Sequence, residues 1–345
     1  MNQSQETSPL QHALADAVPF IKRVVFFSVF TSILVLTPSV YMLEVYGRVV
    51  NSRSHTTLFM LTILVVGVYI LLEMLEWVRG QMMQQTARGV DKKLHAPVFH
   101  AIFAARLNGA RGQASEALDD LRTFVEFLSS RTFLALIDAP LALFVLVLIY
   151  LIKPALGLCA LGGAVVLFGI GMFNERRVRV PFKAANQSAV ASLGYARGVI
   201  RNAQVIESMG MLDHIHKRWL KIQTDSVSSQ AKASEYAGTN SALSKMVQSL
   251  QGSLILGFGA WFAIHGELTG GLMIVASILG GRVLAPLVQL IASWRQVLGA
   301  RDAYARLKKL LEAFPEPAES MKLPSPEGRL TVEGLVAGPP QSRLQ

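Results

Sequence analysis

Residues 132–174 read TFLALIDAPLALFVLVLIYLIKPALGLCALGGAVVLFGIGMFN, two long apolar runs parted by a single charge, Lys153. A bilayer core about 30 Å thick is crossed by roughly 20 apolar residues, each rising about 1.5 Å along a helix. The stretch therefore predicts two membrane-spanning helices, 132–152 and 154–174, folded into a tight hairpin. Asp138, just before Ala139 and Pro140, reads as a cap at the membrane interface.

Working outward, four more runs meet the same length requirement. Residues 22–46 are uncharged from Val24 to Leu43, and 56–79 continue their apolar pattern through Glu73 and Glu76. Residues 246–266 and 268–294 form a second hairpin around the short turn HGELTGG, with Arg282 the one charge inside the last run. The fold class is thus an all-α membrane protein with six transmembrane helices. The composition agrees: 52% hydrophobic and 16% charged residues, with a mean hydropathy of +0.40, are too apolar for a soluble domain of 345 residues. Cys159 is the single cysteine and lies in an apolar run, so no disulfide framework or CxxC zinc site is available. The polar first 19 residues lead into a run too long for a cleavable signal, which is expected to be a retained span.

The net charge of +10 and pI near 9.9 raise nucleic acid as a partner, and the placement of the basic residues argues against it. Of the 33 Lys and Arg residues, 29 fall in the N-terminal segment, the two long loops and the C-terminal segment. The short loops hold 3, and Arg282 lies within a span. By the positive-inside rule, both termini and both long loops are expected in the cytoplasm. The charge is explained by topology.

Both long loops carry helical periodicity. Val90, Leu94, Val98 and Ile102 recur after span two, and Leu118, Leu121, Val125 and Leu128 recur before span three. Spans two and three are expected to run on beyond the bilayer and meet at a short turn near Gly109 and Gly112, with Pro97 at most a kink. The second loop repeats the pattern, with a break at SMGML around Gly210. Matching helical hairpins suit stalks that transmit force, and a solvated hairpin is the plain alternative. His214 and His216, two apart on a helix, do not converge on a metal. The glycines of spans four to six, in LGLCALGGAVVLFGIG, GSLILGFGA and SILGG, suit close helix packing.

Several stretches in order, TPSVYMLEVYGRVVNSRSHTTLFMLT, ALIDAPLALFVLVLIYLIKPALGL, NERRVRVPFKAAN, RNAQVIESMGML and GAWFAIHGELTGGLMIVASILGGRVLAPLVQLIASWR, carry a resemblance over about residues 15–336. The chain resembles the membrane domain of ABC exporters, specifically the permease/ATPase subunits of bacterial type I secretion systems of the protease and lipase exporter kind. The resemblance implies the six-helix type I ABC exporter fold with long cytoplasmic helical extensions. It divides the chain into a cytoplasmic N-terminal tail (1–19), the transmembrane domain (20–312), a linker (313–328) and the opening strand of a nucleotide-binding domain (329–345), GRLTVEGLVAG. No G-x-x-x-x-G-K-[ST] or LSGGQ-like stretch occurs in the sequence. The chain is therefore expected to be truncated and not to hydrolyse ATP alone, with no cofactor of its own. ATP and magnesium enter only through a missing or separate nucleotide-binding domain.

The resemblance also implies coupling helices at the loop tips, which dock on the ATPase. They map to Gly112, Gln113, Ser115, Glu116, Asp119 and Asp120 in the first loop and to Ser208, Met209, Gly210, Met211, Leu212 and Asp213 in the second. A capped turn remains the other reading of each. Glu73, Glu76 and Arg282 are candidates to line a translocation path. Arg282 could instead snorkel or pair between subunits, while Glu44 with Arg48 and Glu76 with Arg79 are spaced to pair along one helix.

The expected function is the membrane subunit of an ATP-driven protein exporter in the bacterial inner membrane. Its expected partners are a second copy, a nucleotide-binding domain, a periplasmic membrane-fusion adaptor, an outer-membrane channel, the secreted polypeptide and the lipid bilayer, with no nucleic acid. Leader cleavage is not expected, since no cysteine precedes span one. A membrane scaffold that binds partners without transport is the alternative. A secondary transporter would show broken helices and repeats.

Overall fold

The computed structural model describes residues 9–108, 116–315, 328 and 331–334 of the chain. Among them every regular element is a helix. Five helical stretches are long and apolar enough to cross a membrane, and a sixth is made by two helices bent 43° at a short break. The chain is a multi-pass membrane protein.

The first stretch is not one helix. α1 (Pro9–Leu34) stops, α2 (Thr37–Glu44) restarts, and a π-turn (Val45–Val49) leads on to Ser52. Pro38 explains the break: it has no N–H to offer the Leu34 carbonyl, and the Thr37 hydroxyl donates to that oxygen instead, at 2.6 Å. Glu44 and Arg48 pair as their spacing predicts, at 3.7 Å. Arg53, with φ 49°, turns the chain into α3 (His55–Leu107). At 53 residues and about 1.5 Å each, α3 is about 80 Å long and runs through Pro97 without a break.

The third span departs from a straight helix for a similar reason. α4 (Ala117–Leu128) is separated from α5 (Arg131–Asp138) at Ser129 and Ser130, whose hydroxyls donate back to the carbonyls of Glu126 at 3.1 Å and Phe127 at 2.7 Å. Span three therefore does not continue directly into the first loop. Between α5 and α6 (Ala142–Ile152), Pro140 interrupts the ladder, and Leu141 N–H reaches back only three residues, to Asp138. Asp138 ends α5 at this bend.

Beyond Lys153, whose extended backbone makes the turn, α7 (Pro154–Arg201) runs 48 residues through Pro181. A short α8 (Ala203–Ser208) precedes α9 (Leu212–Ile264), again 53 residues long. Gly266 at φ +75° turns the chain into α10 (Gly270–Ala292), and α11 (Trp294–Ala313) follows.

The chain divides into two compact units. The larger comprises residues 25–77 and 131–298. Its core joins Val145 and Ile149 of α6, Leu156, Ala160 and Leu167 of α7, Ile255 of α9, and Val275, Ala276, Leu279, Val283, Leu284, Val288 and Ile291 of α10. Glycines set the spacing at chosen positions. A Cβ on Gly157 would lie 2.6 Å from Tyr150 Cα, one on Gly259 2.8 Å from Met273 Cγ, and ones on Gly163 and Gly280 would overlap Gln251 and Ile255. Gly162, Gly169, Gly257 and Gly281 face open space. Polar side chains add cross-helix hydrogen bonds: Gln248 donates to Gly281 O at 3.0 Å, Gln251 to Gly280 O at 3.4 Å and Ser277 to Gly252 O at 2.8 Å.

The smaller unit comprises residues up to 24, 78–130 and from 299. Its buried rows are Leu10, Ala13 and Ala17 of α1; Met83, Ala87, Val90, Leu94, Val98, Ala101 and Ala105 of α3; Ala117, Leu121, Phe124 and Leu128 of α4; and Ala303, Leu307, Leu310 and Leu311 of α11. The α3 row follows the expected Val90, Leu94 and Val98, then continues through Ala101 and Ala105, leaving Ile102 half-buried. In α4 the buried face runs through Ala117, Asp120, Leu121, Phe124 and Leu128, so of the expected row Leu118 is exposed and Val125 half-buried. The N-terminal segment is helical from Pro9 and pinned to α3 by an ion pair between Asp16 and Lys93.

Candidate functional site

The tip of the second loop is built by a helix end and a helix start. Gly210 follows α8 with φ +63°, its N–H bonding to Glu207 O at 3.0 Å, while Met211 N–H reaches Ile206 O at 3.1 Å. This pair of bonds is the Schellman closure, which satisfies the last carbonyls of a helix and needs a left-handed residue at its centre. Glycine takes that conformation without strain. Ser208 donates its hydroxyl to Val205 O at 3.0 Å. Leu212 then opens α9, and Asp213 sits in its first turn, where a carboxylate complements the positive end of the helix dipole.

Every residue from Ser208 to Asp213 is exposed. Met209 is 64% exposed and Leu212 55%, with Val205 of α8 beside them. The tip therefore presents flexible apolar side chains around a Schellman-closed turn, flanked by the carboxylates of Glu207 and Asp213. Such a surface can pack into an apolar groove, and among the described residues no group of three or more His, Cys, Asp or Glu side chains is placed to hold a metal.

In the first loop, Gly112, Gln113 and Ser115 lie outside the described residues. Glu116 precedes α4 at its N-cap position without a side-chain capping bond, Asp119 is exposed in the first turn, and Asp120 is buried. The Asp120 carboxylate is held by Arg306 of α11 through two bonds: Nε donates to Oδ2 at 2.8 Å and Nη2 to Oδ1 at 2.5 Å. That hydrogen bond is the main cause raising the Arg306 pKa above the ordinary arginine value. Arg306 lies 186 residues from its partner, and no local pattern marks it.

Of the charged groups of the spans, Glu73, Glu76 and Arg282 belong to the larger unit. Glu73 and Glu76 are exposed on α3, three residues apart, and Arg282 is exposed on α10. No ion pair joins any of them among the described residues. Arg79 is buried at 4% exposure. A contact absent from the sequence reading ties the two short turns of the larger unit: Lys153 Nζ bonds Glu267 Oε2 at 2.5 Å and lies 4.9 Å from the Phe262 ring centre. The same hydrogen bond holds the Glu267 carboxyl below its usual range.

Six apolar spans, four of them continuing into or framing long polar helical loops, set the architecture, and comparison with known families places it. The family described as the ABC transporter transmembrane region matches residues 21–284. The chain belongs to that family. As an ABC transmembrane domain it has the all-α exporter fold that the sequence led us to expect. It is 34% identical over 317 residues to the type I secretion system ATP-binding protein PrsD of Rhizobium meliloti, covering 92% of this chain and 54% of the relative. It is also 21% identical to the leukotoxin translocation ATP-binding protein LktB of Mannheimia haemolytica and 21% identical to the toxin RTX-I translocation ATP-binding protein of Actinobacillus pleuropneumoniae. Each covers 89% of this chain and 44% of the relative. This ABC transmembrane domain thus spans about half the length of these curated relatives.

Proposed function

We propose that the chain is the membrane-spanning part of a type I secretion exporter in the bacterial inner membrane, moving a polypeptide out of the cytoplasm under ATP. The observation that carries this is the 34% identity to PrsD over 92% of the chain. The lysine and arginine bias supports cytoplasmic termini and long loops. No part of the sequence has the phosphate-binding P-loop pattern, so the residues present do not fit ATP or magnesium, and nucleotide is assigned to a nucleotide-binding domain.

The chain's own contribution is to receive motion at the loop tips and pass it along α3, α7 and α9. Met209, Met211 and Leu212 dock the second tip by burying apolar surface, and Gly210 keeps the turn rigid. Ionised side chains exposed at bilayer depth are costly against lipid. Glu73, Glu76 and Arg282 therefore face a polar path formed with a second copy. A periplasmic adaptor and an outer-membrane channel complete the route.

The test is cysteine crosslinking in membrane vesicles, with Met209→Cys placed in a Cys159→Ser background and the nucleotide-binding domain present. ATP-dependent crosslinking to that domain is expected, with loss of export when Met209 and Leu212 are both changed to Asp. Export unaffected by the double change would refute docking at this tip. A scaffold without transport would crosslink but export nothing.

A further inference from the structure

The helices that frame the two loops are held in different ways. The second is flanked by α7 and α9, each continuous with a span. The returning limb of the first is α4, only 12 residues long and cut off from α5 at Ser129 and Ser130. A helix that short is marginal by itself in water, so its position comes from what it packs on. The partner is α11. Asp120, 8% exposed, accepts the Arg306 fork through both oxygens, which fixes orientation as well as separation. One turn on, the Phe124 and Tyr304 rings lie 5.6 Å apart between centres. Leu121, Leu307 and Leu311 are buried within the same unit.

We propose that Arg306 is the positioning residue of the first loop tip, locking α4 to α11 so that the two move as one body and a load on that tip passes to α11 rather than to the third span. Lysine could keep the charge at this position but not the two-pronged geometry. The second tip needs no such lock. The inference rests on the reading of the tips as docking elements, and its test separates the two.

Spin labels on Thr123→Cys and Lys309→Cys, both exposed positions, report the α4 to α11 distance in a Cys159→Ser background in lipid. A single narrow distance is expected for the native pair, broadened in Arg306→Ala and Arg306→Lys and narrowed again in the Asp120→Arg/Arg306→Asp exchange. Crosslinking to a nucleotide-binding domain is read in parallel from Asp119→Cys at the first tip and Met209→Cys at the second. Arg306→Ala should lower the first roughly tenfold, the population shift set by losing a hydrogen bond between charged groups, and leave the second unchanged. Equal narrow distances in all variants, or both crosslinks falling together as in general unfolding, would overturn the proposal. Should neither tip crosslink in the chain with Arg306 intact, the docking reading fails, while the label distances still judge Arg306.

Discussion

Gly162 and Gly163 are adjacent in α7, yet alanine should have opposite effects at the two. A Cβ on Gly163 would overlap the Gln251 amide oxygen and lie 2.5 Å from its Cδ, whereas one on Gly162 has no atom within 4 Å. Gln251 is 3% exposed, so its amide has no solvent to retreat into, and moving it breaks the bond to Gly280 O. Overpacking of this kind costs about 1–3 kcal/mol, and a buried amide left without partners costs about 1–3 kcal/mol. Against this stands the gain from replacing glycine in a helix, about 1 kcal/mol. Gly163→Ala should therefore destabilise the chain by about 1–5 kcal/mol, and Gly162→Ala should be neutral or slightly stabilising. Adding Gln251→Ala to Gly163→Ala removes the overlapping group and should recover most of the loss. The assay is reversible unfolding in mixed micelles, followed by tryptophan fluorescence. If the two single variants unfold at the same point, or Gln251→Ala restores nothing, the packing argument at this three-helix junction is wrong.

Other outcomes follow from the same contacts. Because Lys153 depresses the Glu267 pKa, the stabilisation from this pair is present above the ordinary carboxylate range and is lost as pH falls through the depressed value. Unfolding midpoints measured from pH 7 downward should show this dependence, and Glu267→Gln should remove it. Gly210→Val places a branched residue at φ +63° and should cost about 1–2 kcal/mol locally, with Gly210→Asn milder. Hydrogen exchange at the Met211 amide, which bonds Ile206 O, should speed up in that order. Ser277→Ala should loosen α9 from α10 by about 1 kcal/mol, seen as a lower unfolding midpoint, because the Gly252 carbonyl loses its donor.

The linear sequence sufficed for the six spans because each must place about 20 apolar residues in hydrocarbon, a requirement written locally in runs such as 154–174. The glycine at the second tip was equally legible, since a left-handed helix cap favours that residue whatever surrounds it. The breaks at residues 35–36 and 139–141 were marked by Pro38 and Pro140, but periodicity across them reads as continuous. Tertiary structure alone decided which glycines are tight and which are open, because Gly162 and Gly163 differ only in what faces them. It also decided that Arg306 meets Asp120 and Lys153 meets Glu267. Local spacing records which residues share a helix face; pairings made across 186 and 114 residues depend on where separate helices come to rest, and that is settled by packing.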